Sequence, residues 1–151
     1  MDYFIRNATA ADLAEIVRVG SESQTAAHWT DQHYQSLFAT FSSAPRLILV
    51  AVEQDGATIG FLAARHISRE WELENIVVSM TARGKGVGTA LLTEMLSRAQ
   101  KSASDSVFLE VRESNSAARA LYSKLGFQES GRRKGYYSSP AEDAILYSKT
   151  L

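Results

Sequence analysis

The sequence predicts an α/β fold, a mixed central sheet of about seven strands flanked by about four helices. Three observations carry that prediction. Apolar residues alternate in some segments and recur at helical spacing in others, in the order β α α β β β α β α β β. Gln54-Asp55-Gly56 separates two β-like runs, and Asp-Gly is a strong hairpin signal. A short apolar run, Leu73–Val78, passes through three glycines into an amphipathic helical run. Strands joined by a hairpin pair antiparallel and strands joined through a helix lie parallel, so the sheet is of mixed direction.

Each element follows from local pattern. Tyr3–Asn7 alternates as a first strand. Thr9 is an N-cap for a helix with Asp12 in its first turn and Leu13, Ile16, Val17 and Gly20 at helical spacing. A second helix is expected over Thr30–Phe41, with Tyr34, Leu37, Phe38 and Phe41 on one face, and Pro45 closes that region. Leu47–Val52 and Thr58–Arg65 form the hairpin, followed by a central strand over residues 71–79. Val87, Leu91, Met95 and Ala99, with Leu92 and Leu96 alongside, mark a helix over 87–101. Val107–Arg112 is the next strand and Ser116–Leu125 the next helix, and Phe127–Tyr137 pairs with Ala144–Lys149 as a terminal hairpin. A single domain over residues 1–151 is the expectation, since 151 residues suffice to bury one core.

Composition narrows the function classes. A formal net charge of −1 gives no electrostatic footprint for nucleic acid or an anionic membrane surface, although Arg132-Arg133-Lys134 is a local basic patch. The chain has no cysteine, which excludes thiol nucleophiles, disulfides and thiolate metal sites. His28, His33 and His66 lack metal-motif spacing, so no metal is expected. Neither a signal-peptide layout nor a run of membrane length is present, and a cytoplasmic protein, monomeric or weakly dimeric, is the default expectation.

The most informative segment is Arg83-Gly84-Lys85-Gly86-Val87-Gly88. Glycines allow positive φ and close backbone approach, and the first-turn N–H groups of the following helix point outward with the helix dipole behind them. Arg83 and Lys85 add positive charge, so a phosphate or pyrophosphate is the expected guest. The glycine spacing fits neither the dinucleotide fingerprint G-x-G-x-x-G nor the Walker form G-x-x-x-x-G-K-[ST]. An ordinary glycine-rich turn capping a helix is the competing reading.

Segments around this loop point to a family. Arg-x-x-Gly-x-Gly resembles the acetyl-coenzyme A pyrophosphate loop of the GNAT N-acetyltransferases, and Asn75-Ile76-Val77-Val78 stands where that superfamily has a bulged, cofactor-facing strand. Phe108-Leu109-Glu110-Val111-Arg112, Ser114-Asn115-Ser116-Ala117-Ala118 and Ala120–Phe127 resemble its closing motif. Within the superfamily the chain is most similar to the RimI family, which acetylates the N-terminal alanine of a small-subunit ribosomal protein. Arg132–Tyr137 followed by Glu142-Asp143-Ala144-Ile145 fits that branch, as does Trp29-Thr30-Asp31, although His28 replaces the family's proline and Ser138–Ala141 is a shorter loop. The resemblance implies a single-domain GNAT-like fold, acetyl-coenzyme A as cosubstrate, and a protein N-terminus as acceptor.

Acetyl transfer from a thioester to an amine needs a neutral amine, a stabilised oxyanion and a proton for the departing thiolate. Glu110 is the candidate base: Phe108, Glu110 and Arg112 share one face of a central strand, opposite Val107, Leu109 and Val111. Pattern alone equally allows a carboxylate paired with Arg112 or a lysine, and the resemblance assigns the base here. Tyr122 lies on the stripe Ala118, Leu121, Tyr122, Leu125, so a core tyrosine is the bland reading; the resemblance makes it the general acid. Asn115 either caps the helix from Ser116 or, as the resemblance implies, holds the pantetheine arm, and the two are compatible. Ile76, Val77 and Val78 would bind the cofactor through main-chain groups, with Arg83, Gly84, Lys85, Gly86, Val87 and Gly88 around its pyrophosphate.

Glu72 and Glu74 rival Glu110 as base, because the superfamily resemblance also allows a water-mediated carboxylate on the central strand, and their spacing puts both on one face of it. Tyr136 and Tyr137 are candidate walls for an acceptor peptide, with cross-strand aromatic packing as the alternative, and Trp29 is a candidate opposite wall. An α-amino group with a pKa near 8 is about a tenth neutral at pH 7, against roughly four in ten thousand for lysine, which favours an N-terminal acceptor. Two other functions compete: a small-molecule amine acetyltransferase, expected to show a strongly acidic pocket if it serves polycations, and a non-catalytic acyl-coenzyme A regulator, expected to turn Glu110 and Tyr122 away from the thioester.

Overall fold

The computed structural model describes residues 2–23, 29–39 and 45–151. Seven strands form one sheet in the order β1-β2-β3-β4-β5-β7-β6, where β1 is Tyr3–Asn7, β2 Arg46–Glu53, β3 Thr58–Ile67, β4 Glu70–Val78, β5 Ser106–Arg112, β6 Gln128–Tyr137 and β7 Glu142–Thr150. All neighbours run antiparallel except β4 and β5, which are parallel. Four helices, α1 (Leu13–Ser21), α2 (Asp31–Ser36), α3 (Val87–Lys101) and α4 (Ser116–Lys124), complete the expected α/β architecture. None of the described helices is long and apolar enough to cross a membrane.

The sheet separates two cores. Ile16 and Val19 of α1 and Tyr34 of α2 pack on Val50, Phe61 and Val77. Leu91, Leu92 and Met95 of α3 pack on the other face against Leu49, Leu62, Leu109 and Ile145. Residues 47–52 of β2 are therefore buried on both faces, which is why that run is continuously apolar.

Two expectations are corrected in detail. Thr9 opens a 3₁₀ turn over Ala10–Asp12 before α1 begins at Leu13; its N–H donates to Asp12 Oδ2 at 2.8 Å, and Arg6 holds the same carboxylate. The second helix ends at Ser36, short of the expected Phe41, which lies outside the described residues, as does His28. At that end Arg46 Nη1 and the Ala39 N–H both donate to the Ser36 carbonyl, and the chain turns instead of continuing the helix.

The feature that positions the site is a break in the middle of the sheet. Ala63 pairs with Asn75 and Ala64 with Leu73, so Glu74 is an extra residue in β4. The alternation slips there: Trp71 and Leu73 belong to the α3-side core, and beyond the bulge Ile76 and Val78 pack against that same core. On its other side β4 pairs with β5 only from Glu70↔Ser106 to Glu72↔Phe108. Beyond Glu72 the two strands have no register partners in each other, and a cleft opens between them.

Candidate active site

Two connected clefts occupy this opening. One, of 350 Å³, is lined by Ile76, Val77 and Val78 of β4, by Arg83, Gly84, Gly86, Val87 and Gly88, and by the start of α4. The other, of 540 Å³, is lined by Glu74, Ile76, Glu110, Asn115, Tyr122, Tyr136 and Tyr137, with Asn75, Arg112 and Ser138. Ile76, Asn115 and Ala118 border both.

The glycine-rich loop has the geometry of an anion cradle. Gly84 and Gly86 take φ of 75° and 80°, and Gly86 is the N-cap of α3. The Val87, Gly88 and Thr89 N–H groups open the helix with no carbonyl of their own helix to bond, and the dipole favours an anion there. Gly88 is under no such demand: a Cβ there would make only ordinary contacts, 3.4 Å from Leu121 and 3.7 Å from Val78. Arg83 bends back, its Nε donating to the Val78 carbonyl at 3.4 Å, while Lys85 is exposed and does not line the cleft. These N–H donors and the uncrowded backbone fit a pyrophosphate, and the edge of β4 that β5 leaves beyond Glu72 fits an extended arm. Among the described residues, no group of three or more His, Asp or Glu could hold a metal.

Asn115 caps α4: its side chain accepts the Ala118 N–H at 3.2 Å, while it also borders both clefts. Tyr122, on the second turn of that helix, is buried, with its ring 5.8 Å from those of Phe127 and Tyr147 and one side on the larger cleft. Burial, with Tyr137 and Tyr147 beside it, pushes its hydroxyl well above the ordinary phenol range, so it holds its proton at neutral pH. Core residue and cleft residue are both correct descriptions.

Glu110 faces the same cleft from β5, on the side opposite the buried Val107, Leu109 and Val111. Its neighbours are not apolar alone: Arg133 Nη2 of β6 stands 3.1 Å from its Oε1. Arg112, the partner suggested by the strand pattern, goes elsewhere. It donates to Glu142 and to the Pro140 carbonyl at 3.0 Å each, and its guanidinium lies 4.4 Å from the Tyr137 ring centroid. That hydrogen bond holds the Glu142 carboxyl below its ordinary range. Tyr137 is pushed up, first by burial and then by Glu110 and Tyr136. Tyr136 meets it edge-on at 5.1 Å, so aromatic packing and cleft lining coexist there too.

The remaining candidates divide. Glu74, the bulge residue, lines the cleft but is bound by Arg46, Nε to Oε1 at 3.1 Å. Glu72 lies outside both clefts, its Oε1 held by Arg65 Nε at 2.6 Å. Trp29 lines neither cleft: it stacks on His33 at 5.4 Å and packs toward Phe61 in the α1–α2 core, so the opposite-wall expectation is not met. Sequence reasoning missed Arg133 as the partner of Glu110, having only its place in a basic triplet as a signal. It also missed the Arg112–Glu142 pair, which joins residues distant in the chain.

Comparison with known proteins agrees with this fold. The acetyltransferase (GNAT) family model matches residues 13–127. The [Ribosomal protein bS18]-alanine N-acetyltransferase of Escherichia coli (strain K12) is 32% identical over 120 residues, 78% of each protein. The crystal structure of the ribosomal-protein-S18-alanine N-acetyltransferase from Escherichia coli superposes with a TM-score of 0.86 at 28% identity, covering 99% of this chain and 94% of that one. Ard1 from Thermoplasma volcanium superposes at 0.87 with 26% identity over 100% and 99% of the two chains. The chain belongs to the acetyltransferase (GNAT) family, as an acetyl-coenzyme A-dependent N-acetyltransferase most similar to the RimI branch.

Proposed function

We infer that the acceptor is a protein N-terminal α-amino group, in first place the alanine of ribosomal protein bS18, the acceptor for which the Escherichia coli relative is named. The observation that carries the reading is that Glu110 and Tyr122 share one cleft, continuous with the glycine cradle through Ile76, Asn115 and Ala118. Glu110 takes the proton of the acceptor ammonium, and the Tyr122 hydroxyl gives its proton to the leaving sulfur. Acetyl-coenzyme A, when bound, supplies the thioester carbonyl that the amine attacks. Main-chain groups of Ile76–Val78 hold the pantetheine arm and polarise that carbonyl, Asn115 steadies the arm, and Arg83–Gly88 binds the pyrophosphate. Tyr136 and Tyr137 wall the acceptor side. The same reading makes the protein cytoplasmic, a single domain over residues 1–151, and monomeric or weakly dimeric.

A polycationic small molecule is a poorer fit, because the two cleft carboxylates, Glu74 and Glu110, already carry Arg46 and Arg133 as partners. The cleft is charge-paired rather than strongly acidic. Mass spectrometry of protein N-termini from cells with and without this protein tests the acceptor; an unchanged N-terminal alanine on bS18 overturns the assignment. Glu110→Gln is expected to lower kcat about 10²- to 10⁴-fold, with coenzyme A affinity by calorimetry near wild type.

A further inference from the structure

β6 is the outermost strand of the sheet, and all of its residues before Tyr137 are exposed. From this uncovered edge Arg133 reaches inward to Glu110 at 3.1 Å, with its guanidinium 5.1 Å from the Tyr136 ring centroid. The Arg133 side chain is 54% exposed, against 19% for Glu110, so the cation can leave into solvent while the carboxylate stays in the cleft. The other charged groups around Glu110 have partners of their own: Arg112 on β5 with Glu142 on β7, and Glu74 on β4 with Arg46. The neighbouring Arg132 is fixed by Glu113 and Asp143. Tyr122 from α4 and Tyr137 from β6 face the same cleft as neutral phenols, and the register partner on β7 is Leu146.

We propose that Arg133 is a displaceable latch on Glu110, a positioning residue whose guanidinium is exchanged for the acceptor's α-ammonium on the same carboxylate. The inference rests on Glu110 being the base. An arriving ammonium competes with Arg133 for the same carboxylate, of which Arg133 engages Oε1. Before an acceptor arrives the latch holds the carboxylate in place, and the Tyr136 face gives the released guanidinium a resting contact. Because the pair is partly exposed, the exchange opposes acceptor binding only modestly, about two- to fivefold in affinity. A neutral acceptor cannot replace the cation, so the latch also favours a charged amine over an uncharged isostere.

Initial rates with an alanine-starting peptide test this in R133Q and R133K. R133Q is expected to lower the peptide KM about two- to fivefold at pH 8 while kcat stays near wild type. R133K is expected to restore the wild-type peptide KM, and the KM for acetyl-coenzyme A stays unchanged in both. A wild-type peptide KM in R133Q overturns the latch. A raised peptide KM overturns it too, since Arg133 would then be a direct acceptor contact. Full activity in E110Q overturns the base assignment instead, so the two failures are distinguishable.

Discussion

Tyr122 shows how one side chain serves two masters. Its ring belongs to the α3-side core, against Phe127 and Tyr147, while its edge lines the larger cleft. Removing only the hydroxyl keeps the packing, so Tyr122→Phe is expected to lower kcat by about 10²-fold, with a thermal midpoint close to wild type by calorimetry; an unchanged kcat removes Tyr122 as the acid. Because burial raises the pKa of this phenol, its ionisation does not limit the rate below the ordinary tyrosine value of about 10. At this scale the sequence was most legible where function depends on residues close together in the chain. The Glu110 segment, Asn115 and Tyr122 fall within one strand–turn–helix run and could be read as a unit. The partners of Glu110 and Arg112 could not, because Arg133 and Glu142 arrive from the terminal hairpin only after the sheet is assembled.

Elements were legible wherever their period was unbroken. α3 follows its 3.6-residue stripe and ends at Lys101 as expected. β4 also read as a strand, but the extra residue at Glu74 returns Ile76 and Val78 to the face that Trp71 and Leu73 use, and no alternation pattern displays such a slip in advance. Glycines mark other places where elements meet. A Cβ at Gly20 of α1 would collide with the Tyr34 hydroxyl of α2, so Gly20→Ala is expected to destabilise the protein by about 1–3 kcal/mol, read as a lower urea midpoint. If the midpoint rises instead, Tyr34 moves aside freely and the α1–α2 contact is loose. Gly86 is different, because it caps α3 with φ of 80° and its surroundings leave room. Gly86→Ala imposes left-handed strain of about 1–2 kcal/mol and is expected to raise the KM for acetyl-coenzyme A more than that for the acceptor. Equal effects on both would separate the loop from cofactor binding.

Across the whole molecule, the divergence of β4 from β5 makes the site, and the ion pairs around its rim make that site sensitive to acid. Neither strand sequence announces the divergence, since both read as ordinary strands; it is a property of their register, which stops at Glu72↔Phe108. β5 is fastened on its other side to β7, and Arg112 bonded to Glu142 ties the end of β5 to the beginning of β7 beneath Tyr137. The Glu142 carboxyl lies below its ordinary range chiefly because of that hydrogen bond, as does Asp12 because of Arg6. A carboxylate whose folded pKa is depressed binds fewer protons in the native state than in the unfolded one. Its stabilisation is therefore present above the ordinary value of about 4 and lost as pH falls through the lower folded value. Tyr34, Tyr122 and Tyr137 behave in the opposite sense: their raised pKa values stabilise the fold below the ordinary value of about 10, and that contribution disappears as pH climbs through the folded values. Urea midpoints followed by circular dichroism are thus expected to be level between about pH 5 and 9 and to fall on both sides. Glu142→Gln should flatten part of the acid slope and lower the midpoint at pH 7, because it removes the charge from a carboxylate that Arg112 and Ser114 both engage. An acid slope identical to wild type in that variant would mean that the rim pair contributes nothing to stability, and the acid sensitivity would then belong to pairs away from the cleft.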